Sequence, residues 1–143
     1  MRLLFLRRDT LACRLIRLAT WSQWSHVAVV VGADVIEATA AHGVRVAPLY
    51  EVMSGATKHA FANVACGDVR AQLFLREQLG RPYDWTAVLG VFWHRDWQED
   101  DSWFCSELVA SAALRGGAVL VRKRQNRITP EDVWTSVAVV RDR

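Results

Sequence analysis

Three side chains of this sequence could together perform nucleophilic chemistry: the thiol of Cys105, the imidazole of His26 and the carboxylate of Glu37. Cys105 stands at the predicted start of a helix, with Asp101 or Ser102 as the expected cap. Unpaired N–H groups and the dipole at a helix N-terminus favour the thiolate, which is the nucleophilic form of cysteine. The same N–H groups could hold an oxyanion. On position alone, a buried structural cysteine is the alternative for Cys105.

A cysteine nucleophile needs a base within hydrogen-bond reach, and of the four histidines only His26 begins an evident core strand. A type II′ turn at Gly32-Ala33 would pair Val31 with Asp34 and make Glu37 a diagonal neighbour of His26. Their backbones would then be roughly 7–8 Å apart, which two side chains can bridge. With Gly32 outside the loop, Glu37 would fall out of reach. The alternatives are a strand-end histidine and a solvated surface carboxylate.

Short strands and helices must hold these residues in place. Apolar runs and alternation predict strands at Leu3–Leu6, His26–Val31, Val35–Ala38, Gly43–Val46, Lys58–Val64 and Val137–Val140. Helical periods and capping signals predict helices from Asp9 or Thr10 to Ala19, at Pro48–Met53, at Trp85–Trp93, at Cys105–Arg115 and from Thr129-Pro130 onward. A further helix is predicted from Asp68, with Val69, Leu73, Leu75 and Leu79 as its apolar residues and a stop at Gly80. Strict βαβ alternation is absent, so the fold class is α+β.

The composition fits one domain covering residues 1–143. The chain is 52% hydrophobic and 23% charged, and at 143 residues it can build a core without disulfide or metal staples. Three cysteines without a C-x-x-C pair indicate neither a disulfide framework nor a zinc site, so we expect reduced thiols, with Cys13 and Cys66 structural. The net charge of +3 is mild, and we interpret the basic run Arg122–Arg127 as a solvated loop rather than a nucleic-acid surface.

The N-terminus does not develop into a targeting segment. Leu3–Leu6 is followed at once by Arg7, Arg8 and Asp9, before a signal-peptide core can form. No apolar run approaches the roughly 18 residues that a membrane-spanning helix needs. We therefore expect a cytoplasmic protein, which would reach a cell wall only through a partner or phage-like delivery machinery.

Four groups of segments together resemble the NlpC-type papain-like peptidases. They are Ser25–Val30, the pair Val35–Ala38 and Gly43-Val44, Gly80–Trp85, and Phe104–Val109. The histidine strand precedes the cysteine helix, an order that is circularly permuted as in the YiiX-like branch and the lecithin:retinol-acyltransferase-like branch. The resemblance extends from Ser25 to about Val109. It implies a permuted papain-like fold, with a small antiparallel sheet packed against the helix that bears the cysteine.

The resemblance also implies a role for each residue of the site. Cys105 would be the nucleophile, His26 the general base and acid, and Glu37 the residue that orients the imidazole. Tyr83 matches a family tyrosine beside the cysteine, whose hydroxyl could assist the oxyanion site. Asp84 is adjacent and could bind substrate or serve as a turn or cap residue. No metal or organic cofactor is implied.

Two departures from the family pattern concern substrate recognition. Ala28 stands where many relatives have glycine, and the segment from Trp93 to Ser102 matches no motif. Trp103 and other tryptophans near the site could wall an apolar or sugar-binding groove, or pack in the core.

The predicted function is a cysteine hydrolase, a peptidase or amidase, that cleaves an amide bond, with cell-wall peptide as one substrate class. Lipid acyl hydrolysis or transfer from a lipid ester, with the same triad, is the first alternative. A non-catalytic binding or structural module on the same fold is the second.

Overall fold

A six-stranded antiparallel sheet forms the centre of the computed structural model, which describes residues 1–82, 104–122, 128–136 and 138–142. Its strands are β1 (Arg2–Arg7), β2 (His26–Val31), β3 (Asp34–Thr39), β4 (Gly43–Pro48), β5 (Lys58–Val64) and β6 (Val139–Arg141). They are arranged in the order β4-β3-β2-β1-β5-β6. The predicted mixed fold with an antiparallel sheet is confirmed. The first strand lies in the middle of the sheet, between β2 and β5, which the sequence did not indicate.

Helices cover both faces of this sheet. Those of the described residues are α1 (Leu11–Thr20), α2 (Leu49–Met53), α3 (Asp68–Glu77), α4 (Cys105–Arg115) and α5 (Pro130–Thr135). The larger core joins one sheet face to α3, α4 and α5, while a smaller core on the other face includes Val52 of α2. The sheet is therefore the middle layer of the fold.

The buried face of α3 differs from the one that its apolar period predicts. Val69 and Leu73 are mostly exposed, whereas Ala71, Phe74 and Leu75 are buried. The guanidinium of Arg115 in α4 also lies 5.5 Å from the centroid of the Phe74 ring. Packing against α4 decided which side of α3 faces inward, and Leu75 is the residue of the predicted apolar period that is fully buried there. The helix ends at Glu77, before the predicted stop at Gly80.

Trp24 anchors the chain just before β2. Its ring is 1% exposed and its centroid lies 5.8 Å from that of Phe5 in β1 and 5.0 Å from that of Trp134 in α5. The carboxylate of Glu131 accepts hydrogen bonds from the Ser22 hydroxyl, at 3.1 Å, and from the Gln23 backbone, at 3.0 Å. These contacts fix the segment that leads into His26 against the last helix.

Ser25 joins the end of β1 to the start of β2. Its backbone N–H and its hydroxyl both donate to the carbonyl of Leu6, at 2.9 and 3.2 Å. The hydroxyl oxygen accepts from the N–H of Arg8 at 3.0 Å. The serine of the Ser25-His26 pair thus satisfies polar groups that burial would otherwise leave without partners.

Gly43 begins β4 and lies against the backbone of the Gly80–Pro82 segment. The N–H of Val44 donates to the carbonyl of Arg81, and the N–H of Gly80 donates to the carbonyl of Val44, both at 2.9 Å. Gly43 has φ +66°, and a Cβ atom there would lie 2.2 Å from the Arg81 carbonyl oxygen. Only glycine permits this approach. The contact holds the Gly80–Pro82 segment, which leads to Tyr83, against the start of β4.

Gly43→Ala should therefore destabilise the protein more than Gly32→Ala. Both glycines have positive φ, at +66° and +65°, and alanine there costs about 1–2 kcal/mol. A Cβ at Gly32 meets nothing within 4 Å, whereas at Gly43 it overlaps backbone, which adds roughly 1–3 kcal/mol. Urea unfolding of the two variants measures the difference. Equal losses in the free energy of unfolding would contradict the proposed steric constraint.

Candidate active site

His26 and Glu37 meet across the β2-β3 hairpin. The strands pair Val31 with Asp34, as predicted, and Gly32 has φ +65° in the connecting turn. The imidazole Nε2–H of His26 donates to Oε2 of Glu37 at 2.8 Å. The register that brings the two side chains together is confirmed, and the alternative with Gly32 outside the loop is wrong.

Arg45 in β4 is a further member of this cluster. It lies directly opposite Glu37 in the β3-β4 ladder. Its Nε donates to Oε1 of Glu37 at 3.0 Å, and a terminal nitrogen lies 2.9 Å from the same oxygen and 3.5 Å from the exposed carboxylate of Glu51. We did not single out Arg45 in the sequence. Two features of the sequence could have identified it. Arg45 is the cation of the otherwise apolar strand β4, and the short connection from β3 aligns it with Glu37.

The environment of Glu37 keeps its carboxylate charged. The side chain is only 2% exposed, and burial by itself would raise its pKa. Hydrogen bonds and charges from His26 and Arg45 outweigh this effect and hold the pKa of Glu37 below its usual 4.5. Both carboxylate oxygens have cationic partners, so the buried charge is compensated.

Cys105 is the first residue of α4, as predicted, and its side chain is buried. The N-cap is Phe104, so the expectation that Asp101 or Ser102 caps this helix was wrong. Instead, the carboxylate of Glu107, three residues after the cap, accepts the backbone N–H of Phe104 at 3.3 Å. A glutamate three residues after the N-cap is the second half of a capping box. Its position in the sequence indicates a helix that begins just after Phe104.

Two contacts hold α4 in position. The hydroxyl of Ser106 donates to the carbonyl of Ile128, which ties the first turn to the segment before α5. Further along, Ala112 and Ala113 are fully buried in the core that α4 shares with β2 and β3, in line with the predicted close approach of the helix to the sheet. The thiol is therefore carried by a fixed helix N-terminus.

Cys105 and Glu37 both act on the charge of the His26 imidazole. Burial alone would lower the pKa of His26, but the hydrogen bonds and charges of Cys105 and Glu37 outweigh it and raise the pKa to about 10. Because Glu37 occupies Nε2, Nδ1 is the imidazole nitrogen left to face the thiol. Cys105 and Glu37 thus both favour the charged form of the imidazole.

The remaining candidate residues are placed as follows. Cys13 and Cys66 are partly buried free thiols, and Cys66 packs against Gly116, where a Cβ would lie 2.9 Å from that of the cysteine. Tyr83, Asp84 and Trp103, predicted for the oxyanion and substrate sites, lie outside the described residues, as do the predicted Trp85–Trp93 helix, the Trp93–Ser102 loop and most of the Arg122–Arg127 run.

This fold and this cluster define a papain-like protein in which the histidine strand precedes the cysteine helix. The family model described as permuted papain-like amidase enzyme, YaeF/YiiX, C92 family, matches residues 3–135, and the chain belongs to this family. At family level the chain is therefore a cysteine hydrolase of the amidase type.

A solved structure supports the fold assignment. The crystal structure of a protein described as metalloprotein yiiX, from Escherichia coli O157:H7, superimposes with a TM-score of 0.74 at 20% sequence identity. The match covers 99% of this chain and 94% of that chain. A search of the curated proteins gives no match.

The protonation state of His26 can be measured directly. With a pKa of about 10, its imidazole should remain protonated at pH 7 to 9, where a histidine at the ordinary 6.5 is neutral. NMR of ¹⁵N-histidine-labelled protein, with the signals assigned by His26→Ala, follows this titration. Cys105→Ala and Glu37→Gln should each lower the midpoint, because each removes a partner of the charged ring. A His26 midpoint near 6.5 in the wild type would contradict the ion pair.

Proposed function

We propose that this protein hydrolyses amide bonds through a Cys105-His26-Glu37 triad and an acyl-enzyme. The observation that carries the proposal is the imidazole of His26, which is hydrogen-bonded to the buried carboxylate of Glu37 and whose charge is also favoured by Cys105 at the start of α4. Nucleophile, base and orienting group in this relation are the requirement of thiol-based acyl transfer.

In the acylation step, the thiolate of Cys105 attacks the carbonyl carbon and the carbonyl oxygen becomes an oxyanion. The N-terminus of α4 supports this charge, because the first N–H groups of a helix have no acceptor within it. The imidazolium of His26 then gives its Nδ1 proton to the leaving amine as the C–N bond breaks. The products of this step are a free amine, a thioester on Cys105 and a neutral His26.

In the deacylation step, the neutral imidazole of His26 takes a proton from water. The resulting hydroxide equivalent attacks the thioester, and the carboxylic acid leaves as the thiolate of Cys105 re-forms beside the imidazolium. Glu37 remains charged throughout and holds the ring with Nε2–H toward itself, so that Nδ1 serves the reaction. Tyr83, Asp84 and Trp103 are proposed to complete the oxyanion and substrate sites.

The proposed substrate class is a peptide or other amide, including cell-wall peptide, and the enzyme is proposed to be a peptidase or amidase. Triad chemistry alone would also serve a lipid ester. The absence of thiol reactivity would favour the remaining alternative, a non-catalytic module on the same fold.

The yiiX protein of the solved structure is described as a metalloprotein. In the ranges of this chain that the structure describes, no three His, Cys, Asp or Glu side chains are placed to hold a metal ion. Within the triad, both oxygens of Glu37 and one nitrogen of His26 are already engaged with each other or with Arg45. This donor set does not fit a metal ion.

Cys105 should react with a thiol-directed chloroacetamide probe at mildly acidic pH faster than Cys13 and Cys66. The paired imidazolium stabilises its thiolate, whereas an ordinary thiol with a pKa near 8.5 is protonated there. Mass spectrometry of the digested protein gives the rate at each cysteine. His26→Ala should slow labelling of Cys105 on the order of tenfold or more and leave the other two unchanged.

Cys13→Ala is the matched control and should retain the rapid phase and the hydrolysis, while Cys105→Ala should lose both. Equal reactivity of the three cysteines in the wild type would remove the catalytic proposal.

The carboxylate network predicts a graded series of hydrolytic defects. Glu37→Gln should lower kcat on the order of tenfold or more and move the alkaline limb of kcat/KM below about pH 10, because the imidazolium loses its counter-charge. Arg45→Gln should have a smaller effect in the same direction, since it acts through Glu37. Glu51→Gln removes only the exposed outer partner and should resemble wild type. A Glu37→Gln profile that coincides with wild type would exclude the orienting role.

A further inference from the structure

Helix α1 presents an apolar face to solvent. Leu11, Leu15 and Leu18, spaced to lie on one side of the helix, are 76%, 46% and 74% exposed. Trp21, at the C-cap of this helix, is 92% exposed. In a soluble domain, an apolar stripe on a helix ordinarily faces the core. We call these four side chains the α1 face.

Polar contacts from other positions of α1 join the helix to the residues just before it. The Arg17 guanidinium donates to the carbonyl of Arg8 at 3.1 Å and to the carboxylate of Asp9 at 3.0 Å. The hydroxyl of Thr10 accepts the N–H of Cys13 at 3.3 Å and caps the helix. Arg17 is thus engaged within this segment, while the leucines are on the exposed side of the helix.

The segment that carries this face is basic. Residues 7–21 contain four arginines and one aspartate, a net charge of +3 that equals the net charge of the whole chain. Arg14 is exposed and lies one turn from both Leu11 and Leu18. Cations beside exposed leucines, with a tryptophan at the end, are the composition of a helix that lies in a membrane interface.

Helix α1 connects two strands at the end of the sheet where His26 lies. The chain leaves the sheet for α1 at Arg7, the last residue of β1, and returns from it at His26, the first residue of β2. Leu6 and His26 are paired in the ladder. The helix therefore projects from the same end of the sheet as the triad.

We propose that the α1 face docks on an anionic lipid bilayer, with the leucines and Trp21 in the acyl-headgroup boundary and the exposed Arg14 at the lipid phosphates. Among the described residues no helix is long and apolar enough to cross a membrane, and α1 lies on the surface instead. Docking brings the end of the sheet where His26 begins β2 toward the interface. The substrate class of the proposed hydrolase then becomes an amide or ester carried by a lipid, and this extension rests on the proposed function.

A second copy of the chain fits the same face less well. A two-fold pairing of α1 would bring two copies of the basic 7–21 segment together, and Arg14 would meet like charge at the edge of the contact. An anionic bilayer offers both the apolar layer and the opposite charge.

Vesicle sedimentation tests the docking without relying on catalysis. Wild type and Cys105→Ala should both bind phosphatidylglycerol-phosphatidylcholine vesicles, more weakly as salt increases, and bind pure phosphatidylcholine poorly. Leu11→Ser/Leu18→Ser should weaken binding roughly tenfold or more, because two apolar side chains lose their burial. Trp21→Asn, which suits the left-handed φ of +51°, should abolish the lipid-induced blue shift in tryptophan fluorescence.

Val69→Ser/Leu73→Ser on α3 is the matched control, because it removes two side chains that are 73% and 57% exposed elsewhere. This variant should bind as wild type does. Failure of the wild type to bind anionic vesicles, or an equal loss in the α3 variant, overturns the docking. Dimerisation in sedimentation equilibrium that the α1 variant abolishes, without vesicle binding, assigns the face to a second copy and overturns it as well.

The docking and the catalytic proposal can fail separately. Vesicle binding by a protein whose Cys105 is unreactive would leave the docking intact and remove the hydrolase. A reactive Cys105 in a protein that does not bind vesicles would leave the hydrolase intact and remove the docking.

Discussion

The buried carboxylate of Glu37 is the constraint on which the site depends. A charge with 2% exposure must be matched by cations with good geometry, since an unpaired buried charge is strongly destabilising. His26 and Arg45 supply that match from the two neighbouring strands. The same pairing that makes burial of Glu37 tolerable also keeps the imidazole charged and fixes which of its nitrogens faces Cys105. Structural necessity and the proposed chemistry thus use the same hydrogen bonds.

The strand that carries His26 is itself held by contacts from distant parts of the chain. Trp24 packs between β1 and α5, Ser25 bonds to the end of β1, and Glu131 of α5 holds the preceding loop. These groups touch neither Cys105 nor Glu37 in any described contact, yet they fix the backbone position of His26 at the start of β2. Rigid support of this kind matters because proton transfer requires hydrogen-bond distances at the reacting atoms.

Helix α1 shows the limit of an amphipathic pattern. Such a pattern predicts that a helix has an apolar side, but it does not predict what that side contacts. The leucines of α1 have the period of a core helix and are exposed, while α3 turns Ala71 and Phe74 inward and leaves Val69 outside. In α3, packing against α4 decided the orientation. For α1, the inferred partner is a lipid surface that lies beyond the chain itself.

Local interactions determined a large part of this protein from sequence alone. Turn chemistry at Gly32-Ala33 and the two-residue alternation of strands were enough to predict that Glu37 faces His26, because the two residues belong to one hairpin. Periodicity likewise predicted a helix that begins at Cys105.

Only the tertiary structure placed β1 between β2 and β5, brought Cys105 against His26, and left the leucines of α1 in solvent. It also aligned Arg45 with Glu37. The short β3-β4 connection allows this contact, but only the burial of the Glu37 carboxylate shows why a cation is needed there. The physical reason is the range of the interactions. Dihedral preferences and hydrogen bonds within a hairpin act over a few residues, whereas burial and charge compensation depend on segments that meet only when the whole chain packs.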